Sequence, residues 1–208
     1  MKLPSHLKNN YEWVFLGPMG PFLLERFQHY PLICVDGGAH FTHRMDLWVG
    51  DGDSYKGELK TEHKYEHSPH KDLSDLALAL SLFREQYPYT FFFWGFLGGR
   101  RDHEMFNLGE GLSFLEAHSH STIFFFGEDT KIYYELKGPG EWRFHHQGLF
   151  SLGTLKKGEV TLSGEVRYPI SQGQVLGPLS SQGLSNLGFG DIHLKNAEPL
   201  FIYYPEGK

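Results

Sequence analysis

Between residues 12 and 127 the chain repeats one pattern, a short unbroken apolar run that ends in glycine or aspartate. The runs are "EWVFLG" (12–17), "PLICVDGG" (31–38), "DLWVGDGD" (46–53), "YTFFFWGFLGG" (89–99) and "STIFFFG" (121–127). Their length, aromatic and branched content, and closing turn formers predict buried strands. Helical spacing fills two of the intervals. "DLSDLALALSLFREQ" (72–86) sets Leu73, Leu76, Leu78, Leu80 and Leu82 among good helix formers, with Asp72 as its N-cap. "DHEMFNLGEGLSFLEAH" (102–118) places Met105, Leu108, Leu112 and Leu115 at helical spacing around two glycines. Strand and helix in alternation predict a mostly parallel sheet with helices on both faces.

The pattern changes near residue 128. "KIYYEL", "EWRFHH", "GLFSL", "EVTLSG", "DIHLKN" and "LFIYY" alternate with a period of two, separated by Gly, Pro, Asn and Ser. They predict a smaller antiparallel β-sandwich. The fold expected is therefore α/β, with an α/β nucleotide and catalytic domain over 1–127 and a β-sandwich domain over 128–208.

A length of 208 residues, 40% apolar and 21% charged, suits a soluble globular protein with ample core. The 18 Phe and 11 Tyr strengthen the strand reading. A formal charge of −6 without a Lys/Arg block argues against a nucleic-acid partner. The single cysteine, Cys34, fits a reducing compartment. No stretch reaches a bilayer span of roughly 20 apolar residues, and the start shows no signal-peptide pattern, so the expected setting is the cytoplasm, with no membrane partner. Among the thirteen histidines, the pairs His118/His120 and His145/His146 read as surface residues.

The chemistry gathers where the apolar runs stop. In open α/β sheets ligands bind beyond the C-terminal ends of the strands. There the chain places Asp36, Asp51, Asp53, Asp72, Asp75 and Asp102. Asp51 and Asp53, at i and i+2, share one face if the backbone is extended. Like charges so close repel unless a cation joins them, and an oxygen-only carboxylate set suits magnesium. Asp72 and Asp75 lie near one helical face, although two acidic groups there also serve simply to start a helix. In "GFLGGRRDH" (95–103) glycines precede a helix start, so backbone N–H groups can approach a phosphate. Arg100, Arg101 and Lys71 add cations, and His103 and Asn107 share a helical face. Acidic groups for a metal beside basic groups for phosphates fit a magnesium–nucleotide site. Neither the P-loop nor the dinucleotide fingerprint occurs.

Four of these stretches, "VDGGA" (35–39), "GDGDS" (50–54), "KDLSDLALAL" (71–80) and "GGRRDHEMFNL" (98–108), resemble thiamine pyrophosphokinase in order and spacing. The resemblance implies transfer of diphosphate from ATP to the hydroxyl of thiamine, giving thiamine diphosphate and AMP. It implies Mg2+ on Asp51 and Asp53, with Asp75 also a ligand. Asp75 or Asp102 would assist, one of them as base, and Arg100, Lys71, Gly98 and Gly99 would hold the phosphates. Asp36, Ser74, His103 and Asn107 would line the ATP site. It further implies a homodimer, with thiamine between the α/β part of one chain and the β part of the other. "VRYPI" (166–170) and "QGLSN" (182–186) then make Tyr168, Ser185 and Asn186 the thiamine side. Gly52, where the family usually has an aromatic, and Glu165, where it often has glycine, depart from the pattern. On the residues alone two other readings stay open: a diphosphokinase for another hydroxymethyl heterocycle, and a non-catalytic thiamine or nucleotide sensor.

Overall fold

The five apolar runs are too hydrophobic to face water on either side, and each becomes a strand. They are β1 (Glu12–Leu16), β2 (Leu32–Val35), β3 (Leu47–Gly50), β5 (Thr90–Trp94) and β6 (Thr122–Phe126). A short polar strand not legible in the sequence, β4 (Lys64–Glu66), joins them. The computed structural model describes residues 2–20, 25–68, 72–84 and 87–208. Two compact units make up the chain. One is Met1–Glu85, Tyr89–Glu110 and Phe125–Lys131; the other is Gln86–Pro88, Gly111–Phe124 and Ile132–Lys208. The chain mixes parallel and antiparallel pairing and has few helices.

In the first unit the strand order is β4-β3-β2-β1-β5, and every pairing is parallel. All residues of β2 and β3 are buried, as are Trp13 to Leu16 of β1. Burial without alternation marks strands covered on both faces. The run "FFFW" in β5 serves both. Phe91 and Phe93 meet Phe15 at ring distances of 4.9 and 4.7 Å. Phe92 and Trp94 meet Phe27 at 5.0 and 5.6 Å. Cys34 is buried in β2, and burial first, then the charge of Asp46, pushes its thiol up to about 12.

The helices are α1 (Asp75–Leu80) and α2 (Arg101–Glu116). α1 is much shorter than the 72–86 pattern predicts. Its cap is Ser74, whose Oγ accepts the Ala77 N–H at 3.0 Å, and Asp72 stands outside, exposed. Beyond Leu80 the N–H groups of Leu82 and Phe83 donate to the carbonyls three residues back, at Ala79 and Leu80. That tighter turn seats both side chains in the core. No helix of the described residues is long and apolar enough to cross a membrane.

The second unit holds β7 (Ile132–Lys137), β8 (Gly140–Gly153), β9 (Gly158–Val166), β10 (Val175–Leu176), β11 (Asn186–Asn196) and β12 (Leu200–Tyr203), in the order β10-β9-β11-β8-β12-β7. The stretches "EWRFHH" and "GLFSL" are not two strands but one, β8. It pairs with β11 over 140–150 and with β12 over 151–153. Side chains from both ladders share a core that includes Phe150, Leu162, Ile192, Leu194, Leu200 and Ile202. Two of the four histidines read as surface residues, His118 and His146, are buried. His118 stacks on Phe114, and the His146 ring lies 4.8 Å from that of Tyr204. Tyr204 is far from His146 in sequence, whereas Phe114 is the i−4 neighbour of His118, one turn back.

A charged group lies inside this unit. The Glu135 carboxylate meets Lys137 Nζ at 2.6 Å and accepts the Tyr204 hydroxyl at 2.8 Å, with both charged side chains under a tenth exposed. Lys137 also donates to Thr122 Oγ1 at 3.3 Å and lies 4.3 Å from the Trp142 ring centre. Burial opposes ionisation of Glu135, but Lys137 and Lys208 outweigh it and hold the carboxyl below its ordinary 4.5. This pair's contribution is present above that ordinary value and is lost as pH falls through the folded one. Lys137→Met strands the carboxylate and should cost about 3–5 kcal/mol in urea denaturation at neutral pH. The deficit should narrow below the ordinary 4.5, where Glu135 takes up a proton. An unchanged deficit across that range would show that the pair is not what the core relies on.

Candidate active site

At the C-terminal ends of the strands the backbone is packed too closely for side chains. A β-carbon on Gly38 would stand 2.0 Å from the Leu16 carbonyl oxygen, and one on Gly17 would stand 2.6 Å from that of Gly95. Met19 N–H donates to the Gly95 carbonyl at 3.0 Å, which ties the turn after β1 to the turn after β5. Asp36 follows β2 directly, at φ +47, a left-handed conformation rare for a non-glycine residue. Its carbonyl accepts Trp48 Nε1–H at 3.1 Å, and its Cα lies against Gly50. Asp36 is thereby fixed beside the end of β3, where Asp51 follows. Asp75 opens α1, with its carboxylate at the favourable end of the helix.

The result is a three-carboxylate group. One oxygen each of Asp36, Asp51 and Asp75 lies within 4.8 Å of the others, and all three residues are half-buried. Asp36 Oδ1 is fully buried and has no hydrogen-bond partner among the described residues. A buried acceptor without a donor is costly and calls for a ligand. An all-oxygen donor set of this kind suits a hard cation such as Mg2+.

Asp53 is not in this group. The expected shared face of Asp51 and Asp53 requires an extended backbone, and Gly52 at φ +74 breaks it. Asp53 is exposed and accepts the Ser54 hydroxyl at 2.7 Å, while its N–H donates to Asp51 Oδ1 at 3.1 Å. The same φ accounts for Gly52 itself, because an aromatic side chain would be strained there. Asp36, expected to line the nucleotide side, takes the third place. The signal for it was an aspartate at a strand end followed by two glycines.

The glycine loop carries its own partners. Gly98 and Gly99 adopt φ +85 and +68, and a β-carbon on Gly99 would press on Met19 Cε at 2.9 Å. Gly98 N–H donates to Glu104 Oε2 at 3.2 Å. Arg100 forms a two-point ion pair with Asp102, Nε to Oδ1 at 3.1 Å and Nη2 to Oδ2. The Arg100 hydrogen bond holds the Asp102 carboxyl down to about 2, and the guanidinium is raised in turn. His103 is exposed, and its N–H donates to Asp102 Oδ1 at 3.0 Å. Asn107 does not face outward with His103: its Nδ2 donates to the Phe96 carbonyl at 2.9 Å and braces the loop. Ser74 caps α1 and donates to Glu110 Oε1 at 3.4 Å. Lys71 lies outside the described residues.

In the second unit the three residues of the expected thiamine side are neighbours. Asn186, buried, clamps the backbone of Tyr168 from both sides: Oδ1 accepts its N–H at 3.0 Å and Nδ2 donates to its carbonyl at 2.7 Å. The Tyr168 ring is left 55% exposed, with the Arg167 guanidinium 5.7 Å from its centre. Ser185 adopts φ +56, and its N–H donates to Ser151 Oγ at 3.0 Å. Glu165 is built into the β9–β11 pairing, where it accepts the Asp191 N–H at 2.8 Å over Gly190.

Residues 27–125 match the family model of the thiamin pyrophosphokinase catalytic domain. The fold is that of solved thiamin pyrophosphokinase structures. A Bacillus subtilis thiamine pyrophosphokinase is 19% identical with a TM-score of 0.68, over 92% of this chain and 98% of that one. A Geobacillus thermodenitrificans thiamin pyrophosphokinase is 20% identical with a TM-score of 0.68, over 92% and 95%. The Candida albicans enzyme is 14% identical with a TM-score of 0.66, over 96% and 90%. Comparison with curated proteins yields no match.

The carboxylate group makes a direct prediction. Without substrates, Mg2+ should raise the melting temperature of the protein by several degrees, as a ligand of the folded state does. Asp36→Asn and Asp51→Asn should lose that shift while melting no lower than the parent in metal-free buffer, because each relieves like-charge repulsion. A full Mg2+ shift in both variants would place the cation elsewhere.

Proposed function

We propose that this chain, whose residues 27–125 match the thiamin pyrophosphokinase catalytic-domain model, belongs to that family and transfers diphosphate from ATP to the hydroxyl of thiamine, a magnesium-dependent reaction. The observation that carries this reading is the meeting of Asp36, Asp51 and Asp75 at the strand ends inside the matched segment, with the Asp36 oxygen sealed in and without a partner among the described residues. The thiamine hydroxyl oxygen bonds to the β-phosphorus and the bridge to the α-phosphate breaks. AMP leaves with the electron pair, and the hydroxyl proton passes to a carboxylate or to water.

The donor set fits Mg2+: Asp36, Asp51 and Asp75 would hold it, and when bound it neutralises phosphate charge. Asp53 shapes the 50–54 turn through its bonds to Asp51 and Ser54. Gly98, Gly99, Arg100 and Lys71 hold the phosphates, with His103 at the loop's exposed rim and Asn107 and Ser74 fixing the elements that carry them. Phosphoryl transfer of this kind needs positioning and charge stabilisation more than strong base catalysis. A carboxylate as weakly basic as Asp102 is therefore adequate to receive a proton late in the step. Tyr168 offers its face to the cationic thiazolium, with Ser185 and Asn186 setting the loop beneath it. The same reading includes the finer organisation: a catalytic domain over 1–127 with helices on both sheet faces, a β-sandwich over 128–208, a homodimer that shares thiamine between its chains, and a cytoplasmic setting.

AMP release with ATP and Mg2+, with and without thiamine, tests the proposal. Thiamine-dependent AMP, with thiamine diphosphate identified by mass, is the expected result. AMP release that ignores thiamine but responds to another hydroxymethyl heterocycle would change the acceptor. Asp51→Asn should lower kcat about a hundredfold or more, and Asp53→Asn should lower it less. Tyr168→Ala should raise KM for thiamine about 5- to 30-fold, the equivalent of a desolvated cation–π contact, with kcat little changed.

A further inference from the structure

Two donors of the phosphate loop, the Gly98 N–H and the Arg100 fork, are already taken by the chain's own carboxylates. Gly98 N–H is bound to Glu104 Oε2 at 3.2 Å. The planar fork of Arg100 is filled on both tines by Asp102, which presents its two oxygens much as a phosphate would. Each contact is local, spanning six and two residues, and each closes on the first turn of α2. Carboxylate and phosphate oxygens make the same demand on these donors, so both cannot occupy them together.

We propose that Glu104 is a tethered competitor for the phosphate site, a residue that sets ATP affinity by holding the Gly98 N–H until nucleotide displaces it. This rests on the reading of 98–100 as the phosphate loop. Glu104 needs no partner of its own after release, because an acidic residue in the first turn of a helix is stabilised in water by the helix dipole. The incoming phosphates carry more charge than one carboxylate and win the exchange at a cost in affinity. Displacement of Asp102 from Arg100 follows the same logic. It also frees that carboxylate from the hydrogen bond that holds it down to about 2, so nucleotide binding returns basicity to Asp102. Glu104 is thus a positioning residue for the substrate rather than a group that touches reacting atoms.

The alternative is a plain brace, in which Glu104 keeps the loop in its binding shape. The two roles predict opposite signs. With Mg2+ and ATP followed by calorimetry, Glu104→Ala should tighten the Kd about three- to tenfold, the net scale of one hydrogen bond in water. KM for ATP should fall with it while kcat holds. Glu104→Gln, which keeps the length and an acceptor but not the charge, should fall between. Melting temperatures near the parent's would show that both variants fold. Unchanged or weaker ATP binding in Glu104→Ala, with the parent active on thiamine, overturns the competitor and leaves the proposed function standing. Failure of the parent itself to bind ATP overturns both.

Discussion

The Leu16 carbonyl leaves no room at residue 38, where a β-carbon would stand 2.0 Å away. Only glycine lets the chain leaving β2 fold back over the end of β1. Because it does, Asp36 is turned into a left-handed backbone and pinned by Trp48 and Gly50. Strain of that kind costs about 1–3 kcal/mol and persists only where surrounding structure over-determines it. The buried sheet supplies that support. Its central strands β1, β2 and β3 are sealed on both faces, and the turns after β1 and β5 are bonded to each other. A flexible sheet edge would let three carboxylates drift apart under their own repulsion.

The two units secure themselves in different ways. In the first, aromatic rings pack around the central strands of a parallel sheet, and the carboxylates gather at the strand ends. In the second, the core accepts a complete ion pair, Glu135 with Lys137, tied further to Tyr204 and Thr122. A pair of that kind adds little net stability over apolar packing. It does penalise any register of β7 that would carry the pair away from Tyr204 and Thr122. An apolar sheet can slip between equivalent pairings, and the pair discourages that.

Much of this was legible from residues alone, and the failures have physical causes. The runs that became β1, β2, β3, β5 and β6 are unbroken apolar segments, which few other environments tolerate. β4 is three polar residues whose strand form depends on lying beside β3, and nothing local announces that. Asp72 and Ser74 are both good caps, and the choice between them follows from where the buried face of α1 must begin. The spacing of Asp51 and Asp53 suggested a shared face, but one positive φ at Gly52 turned one of them outward. Side-chain geometry at a turn is set by backbone angles that glycine leaves open, so glycine-rich motifs reveal where chemistry gathers better than which atom points into it. Tyr168 and Asn186 stand far apart in sequence, and their pairing is a fact of tertiary structure.

Cys34 gives the molecule an unplanned asymmetry. The chain's single thiol sits in the middle of the parallel sheet, sealed from solvent and resistant to ionisation, while the antiparallel unit has none. Alkylating reagents therefore meet silence as long as β2 stays shut. Any labelling of the native protein is a clock for opening of the parallel sheet alone, with the antiparallel unit invisible to it.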